Sequence, residues 1–172
     1  MIENFKRRVF WIIARTGLML YHWFPLFGTL RASIAIIRRG QTFLVIRRND
    51  GRGLCLPGGI SDWKEAEVQT LRREVLEETG LSVTGQELRL RYGSTIDVPC
   101  TISVFEAEAS GELKDSWEGS PRWMTASDLA PRLLESQRPV LALLHEIAAT
   151  VPRQSAGEVP SGSSPERSGG EK

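Results

Sequence analysis

One segment constrains this chain more than any other: residues 59–81, which begin and end near glycines and read GISDWKEAEVQTLRREVLEETGL. Over residues 64–79 apolar side chains recur at helical spacing, which predicts a helix, and Gly80 supplies its stop. The predicted buried face of this helix consists of Val68, Leu71, Val75 and Leu76. Whatever fold forms must therefore hold a helix that is apolar on one side and strongly acidic on another.

The acidic side of the helix is formed by Glu74, Glu77 and Glu78. Residues three and four apart share a helix face, so these carboxylates are predicted to project together, opposite Leu71 and Val75. Like charges this close repel one another unless a positive charge lies among them. A hard divalent cation such as Mg²⁺ or Mn²⁺ suits an all-oxygen site. The alternative is an ordinary acidic helix face covered by water.

The rest of the chain between residues 30 and 150 shows the pattern of short strands separated by turns. Strands are predicted at residues 32–37, 42–46, 54–56, 88–92, 96–98 and 102–107, with turns at 38–41 and 49–53. A polar loop at 114–121 leads to Arg122, Trp123 and Met124, and a last helix is predicted near 139–149. Strands that alternate with helices in this way predict a single α/β domain.

The glycine-bounded segment resembles the Nudix box, G-x5-E-x7-R-E-U-x-E-E-x-G-U, where U is a bulky aliphatic residue. It matches at every fixed position: Gly59, Glu65, Arg73, Glu74, Val75, Glu77, Glu78, Gly80 and Leu81. From average residue usage, a chance match has odds of about one in 10⁹. The resemblance implies the Nudix fold, an α/β (α+β) architecture with a mixed β-sheet sandwiched between helices.

The resemblance also implies an activity, the metal-dependent hydrolysis of the pyrophosphate bond in a nucleoside diphosphate linked to another moiety. Mg²⁺ or Mn²⁺ would be the cofactor, held by Glu74 and Glu78 with Glu77 as a third ligand. In the family the general base is a box glutamate, here Glu74 or Glu77, or a glutamate of a later loop. Glu118 stands where such a loop glutamate is expected, although an exposed loop charge is the plain alternative.

Other positions of the motif are expected to shape the site. Gly58 and Gly59 allow a backbone course that a residue with a Cβ cannot follow. Glu65 is predicted to lie in the first turn of the helix, where its charge suits the helix dipole, and by resemblance it pairs with Arg73. Gly80 ends the helix directly after the site.

The chain departs from many relatives at three positions, none of which carries the chemistry. Lys64 stands where a glycine is common, and Thr70 and Leu71 stand where two alanines are common. A binding or regulatory module of the same fold that has lost turnover remains the alternative function. The substrate stays open among nucleotide sugars, dinucleotides such as ADP-ribose, and non-standard nucleoside triphosphates.

Charge and cysteine content exclude several other classes. The formal net charge is +1, so no general attraction to nucleic acid is expected. The partner that the resemblance implies is a small nucleotide. Cys55 and Cys100 are predicted to be buried, reduced thiols. Neither His22 nor His145 has a neighbour at zinc-ligand spacing.

Residues 1–29 form a hydrophobic N-terminal segment that precedes the domain at 30–150. Arg15 and Pro25 interrupt its apolar run, so no membrane-spanning helix is predicted. A cleaved signal peptide is not predicted either, because the small-residue cleavage candidate at 32–35 lies in the first predicted strand. Through residues 6–28 the segment could instead lie on a membrane surface, cover the domain as an extra helix, or pair with a second copy. The oligomeric state stays open, and the predicted location is the cytoplasm, with membrane association as one alternative. The polar residues 151–172 are predicted to be disordered.

Overall fold

A computed structural model describes residues 29–96 and 98–150 of the 172-residue chain. It contains strands β1 (Leu30–Arg39), β2 (Thr42–Arg48), β3 (Leu54–Cys55), β4 (Gly58–Ile60), β5 (Ser82–Ser94), β6 (Cys100–Ser110) and β7 (Gly119–Thr125). Its helices are α1 (Glu67–Thr79), α2 (Ala126–Leu129), a 3-10 helix (Glu135–Val140) and α3 (Leu141–Thr150). The predictions for the segment up to residue 28 and for the tail from 151 lie outside the described residues.

Strand β1 is the centre of the sheet. It runs parallel to β6, from the pair Leu30 and Cys100 to the pair Ile37 and Ala107, and antiparallel to β4 on its other edge. At its far end it meets β2, which is flanked by β3 and β7, while β5 covers the outer edge of β6. The sheet is therefore mixed, as the fold prediction requires.

The core has two layers, one on each face of β1. Ile34 and Ile36 pack toward the C-terminal helices, where Leu129, Val140 and Leu144 are fully buried. Ala35 and Ile37 pack on the opposite face with Leu71 and Val75 of α1. This alternation is the two-residue period of a strand that is buried on both sides. The sheet thus lies between helices, and the α+β fold prediction is confirmed.

The start of α1 differs from the prediction. The helix begins at Glu67 with Ala66 as its N-cap, so Glu65 lies before the first turn and the prediction for its position was wrong. A compact turn replaces the extra helical residues: Glu65 N donates to the Asp62 carbonyl at 3.0 Å, and Asp62 N donates to the Glu65 carboxylate at 2.9 Å. These hydrogen bonds give the backbone N–H groups of the loop acceptors without helical geometry.

Two other predictions about individual segments were wrong. Leu76 is 52% exposed, because the buried face of α1 turns toward Thr70, Leu71, Val75 and Thr79. Ile96 and Val98 lie outside the strands, between β5 and β6, and Val98 N donates to the Ile96 carbonyl at 2.9 Å. Strand β4 and helix α2 were not predicted. Within the described residues, no helix is long and apolar enough to cross a bilayer.

Lys64 stands in the left-handed region, with φ of 63°, and its side chain is exposed. That conformation costs a residue with a Cβ about 1–2 kcal/mol, and a glycine, which many relatives carry here, avoids this cost. Glycine also adds freedom to the unfolded chain, worth roughly 0.5–1 kcal/mol. We expect Lys64→Gly to raise the free energy of unfolding by about 0.5–1 kcal/mol in a urea titration. Lys114→Gly, at an exposed lysine with negative φ, should lower it, and a loss at both positions would contradict the argument.

Candidate functional site

Glu78 is the most deeply buried acidic side chain of α1, with 4% of its surface exposed. Its Oε2 accepts a hydrogen bond from the backbone N–H of Gly58 at 2.8 Å. Burial raises the pKa of the Glu78 carboxyl well above its usual range, and the nearby charges of Glu118 and Glu74 raise it further against the Gly58 hydrogen bond. Glu78 thus binds the helix to the first residue of β4.

Gly58 and Gly59 are both required by close approaches. Gly58 has φ of +141°, and a Cβ there would lie 2.1 Å from the Ser33 carbonyl oxygen. A Cβ on Gly59 would lie 2.5 Å from Oε1 of Glu74. The first glycine therefore lets the turn pack on β1, and the second leaves room for a carboxylate above the backbone.

Arg73 ties the loop before α1 to the helix. Its Nε donates to Glu65 Oε1 at 3.0 Å and its Nη2 to Glu65 Oε2 at 2.9 Å, a two-bond contact of the kind that orients both groups. Nη1 donates to Glu74 Oε1 at 2.7 Å, and Nη2 reaches the Ile60 carbonyl at 3.3 Å. The hydrogen bonds from Arg73 lower the pKa of Glu65 to about 2. The pair that the resemblance implied is therefore present in the structure.

The three glutamates at the C-terminal half of α1 do not share one place. Glu74 and Glu78 turn inward to the glycines, and burial raises the pKa of Glu74 although Arg73 opposes the shift. Glu77 stands at the solvent edge, where 61% of its side chain is exposed and Oε2 lies 3.5 Å from Arg73 Nη1. The prediction that all three project together was therefore only partly right. Adjacent residues of a helix point about 100° apart. Glu77 therefore points away from Glu78 and toward solvent.

Glu118 comes to this place from a distant part of the chain. After burial, the charge of Glu118 is among the causes that raise the pKa of both Glu78 and Glu74, so its carboxylate lies near theirs. The pairing of β2 with β7 brings it there, because the Glu118 carbonyl accepts from Asn49 N at 2.8 Å and the Trp117 carbonyl from Asn49 Nδ2 at 3.0 Å. Asn49 was predicted only as a turn residue, and nothing in the sequence around it indicated that it would also bind the backbone at Glu118.

Gly80 ends α1 in the left-handed conformation, with φ of 76°, and its N–H donates to the Leu76 carbonyl at 2.9 Å. A Cβ at this position would lie 2.8 Å from the carbonyl oxygen of Glu112. The helix therefore stops directly after Glu78, and the chain turns at once into β5.

The donor set fits a hard divalent cation, because Glu74, Glu78 and Glu118 are clustered carboxylates and only Glu74 is hydrogen-bonded to Arg73. In the described parts of the chain, however, no three acidic, histidine or cysteine side chains already converge on one metal position. Arg73 accounts for this arrangement, since it draws the carboxylates of Glu65, Glu74 and Glu77 toward itself. The cluster provides oxygen ligands whose orientation Arg73 controls.

Comparison with known proteins gives a consistent result. The family model of the NUDIX domain matches residues 28–144, more than half of the chain. A MutT-like protein of Streptomyces ambofaciens is 32% identical over 102 residues, which cover 58% of this chain and 66% of that protein. This chain therefore spans slightly less than two thirds of that relative's length.

Two solved structures have the same fold. A MutT NUDIX hydrolase of Burkholderia pseudomallei aligns with a TM-score of 0.60 and 24% identity, over 67% of this chain and 97% of that one. The ORF135 protein of E. coli aligns with a TM-score of 0.59 and 22% identity, over 73% and 94% of the two chains. At this identity the likeness concerns the fold alone.

Proposed function

The chain belongs to the NUDIX domain family, and we propose that it hydrolyses the pyrophosphate bond of a nucleoside diphosphate linked to another moiety, with Mg²⁺ or Mn²⁺ as cofactor. The observation that supports this best is the meeting of Glu74, Glu78 and Glu118 beside the glycine turn. Three buried or half-buried carboxylates at one place are costly in a protein that does not use them, because each charge opposes the next.

In this proposal Glu74 and Glu78 ligate the cation, and Glu77 at the solvent edge supplies the third carboxylate. When bound, the cation neutralises phosphate charge and lowers the pKa of the attacking water. Gly58 N–H keeps Glu78 oriented, and the missing side chain of Gly59 leaves space above Glu74. In the state described here Arg73 holds Glu74 from the other side, and its contact with Glu65 keeps the loop in place.

Glu118 is the proposed general base, with Glu74 or Glu77 as the alternative within the helix. It comes from the loop just before β7, so it reaches the cluster from a segment other than α1. A base in that position can take a proton from water while the helix carboxylates hold the cation. Asn49 fixes the backbone on both sides of this peptide, which limits how far the carboxylate can drift.

A panel of nucleotide sugars, ADP-ribose-like dinucleotides and non-standard nucleoside triphosphates tests the proposal. We expect phosphate-bearing products from at least one class in Mg²⁺ or Mn²⁺, and a loss of at least about 10²-fold in excess chelator that added metal restores. Full turnover in chelator would overturn the metal requirement. Binding of these nucleotides without any turnover would instead support the silent binding module.

A further inference from the structure

Four residues line up across the sheet directly beneath α1. Gly59 of β4 pairs with Ser33 of β1, Ser33 pairs with Ser103 of β6, and Ser103 pairs with Arg91 of β5. Side chains at paired positions point to the same face of a sheet. For β1 that face is the α1 side, because Ala35, two residues along from Ser33, packs there. The row, which we call the serine rung, consists of Gly59, Ser33, Ser103 and Arg91.

One hydroxyl of the serine rung already serves an acidic residue of α1. Ser103 Oγ accepts from Arg91 Nε at 3.2 Å, so this hydroxyl lies beside the guanidinium that binds Glu67. Arg91 Nη2 also donates to Glu67 Oε2 at 2.5 Å. The outer half of the serine rung is therefore a completed polar contact that holds the first turn of the helix.

The other hydroxyl of the rung has no such contact. Ser33 is fully buried, and among the described residues its Oγ has no hydrogen-bond partner. An unused buried hydroxyl destabilises a protein, since it has given up its hydrogen bonds to water. The presence of an unpaired buried hydroxyl is explained if it forms a hydrogen bond in another state of the molecule.

The carboxylate of Glu74 lies over Gly59, the next position of the rung beside that hydroxyl. This carboxylate lies 2.5–2.8 Å from the place where Gly59 would carry a Cβ, and Ser33 is directly opposite Gly59. Side chains opposite each other on neighbouring strands have their Cβ atoms about 5 Å apart, which a short rotation of a carboxylate can span. Glu67 and Glu74 are two helical turns apart on the same stripe of α1, so Ser33 stands to Glu74 as Ser103 stands to Glu67.

We propose that Ser33 is a positioning residue for Glu74, whose hydroxyl donates to that carboxylate when it turns from Arg73 to ligate a divalent cation. The inference rests on the proposed function, since it needs Glu74 to be a ligand. Arg73 Nη1 and Ser33 Oγ would then hold the same carboxylate in two orientations, the first observed here at 2.7 Å. A hydroxyl that orients a metal-binding carboxylate commonly changes metal affinity about 10- to 100-fold when removed.

The test measures Mn²⁺ binding to the full-length protein without substrate, by electron paramagnetic resonance of free Mn²⁺. Ser33→Ala is expected to weaken Mn²⁺ binding about 10-fold and to leave the melting temperature unchanged or slightly raised, because the hydroxyl it removes is unpaired. In a Glu74→Gln background, Ser33→Ala should change Mn²⁺ affinity less than roughly twofold. The carboxylate that the hydroxyl would orient is absent there, so the effects of the two substitutions should not add.

Ser103→Ala is the matched control, the same substitution one strand away in the rung. It removes the acceptor of the hydrogen bond from Arg91 Nε, so the melting temperature should fall while Mn²⁺ affinity stays within roughly twofold of the unchanged protein. Equal Mn²⁺ affinity in Ser33→Ala and the unchanged protein would overturn the positioning role alone. A loss that persists in full beside Glu74→Gln would also overturn it. No Mn²⁺ binding by the unchanged protein would overturn both this role and the proposed function.

Discussion

Replacing Glu78 with glutamine is expected to lower turnover by about 10²-fold or more while the protein stays folded. Glutamine keeps the shape and a carbonyl oxygen that can accept from Gly58 N–H, so the tie between helix and turn survives. It removes a buried negative charge that Glu74 and Glu118 oppose, so the free energy of unfolding should hold or rise. Steady-state kinetics beside a urea titration measure both effects.

Glu118→Gln is the natural comparison, because it removes the other half of the same carboxylate contact. A general base contributes about 10²- to 10⁴-fold to rate, so turnover should fall while Mn²⁺ affinity changes less than in Glu78→Gln. Comparing the two variants therefore distinguishes a residue that binds the cation from one that accepts the proton. Near-normal turnover in Glu78→Gln would contradict its role as a ligand.

Gly58→Ala is expected to cost the most stability of any single methyl group added to this site. The new Cβ would lie 2.1 Å from the Ser33 carbonyl oxygen and 2.7 Å from the Cα of Ile34, and backbone atoms cannot move aside cheaply. Overpacking and a strained backbone each cost about 1–3 kcal/mol, so we expect a loss of about 3–5 kcal/mol. That is a large part of the roughly 5–15 kcal/mol that stabilises a typical domain.

Gly40→Ala is the matched control for that experiment. Gly40 also has positive φ, at +58°, but nothing lies within 4 Å of the place where its Cβ would stand. Only the backbone conformation is penalised there, by about 1–2 kcal/mol. Equal losses at both positions, measured by urea unfolding, would show that φ rather than the contact with β1 makes Gly58 necessary.

The sequence predicted best what depends on nearby residues. The helix that ends at Thr79 and its stop at Gly80 follow from spacing within one short segment, although the predicted start near residue 64 was too early. The resemblance to the Nudix box added the contact of Arg73 with Glu65 and the mixed sheet between helices, whereas the parallel pairing of β1 and β6 was not predicted.

What the sequence missed depends on contacts between distant segments. Asn49 looks like any turn residue until β2 and β7 pair and place Glu118 beside Glu78. Leu76 fits the helical spacing for a buried residue, yet α1 rotates enough on the sheet to expose it. Ser33 was predicted only as part of an apolar strand. Its position opposite Gly59 depends on the register between β1 and β4, which the sequence does not show.

The register of β1 also bears on how the protein folds. Leu30 of β1 pairs with Cys100 of β6, and Arg48 of β2 pairs with Gly119 of β7, so the central pairings join segments roughly 70 residues apart. Closing such long loops costs chain entropy before stabilising contacts can form, and this slows folding. Glu118 reaches Glu78 only when the last of these pairings has formed. The carboxylate cluster is therefore absent from any partly folded intermediate that lacks β7.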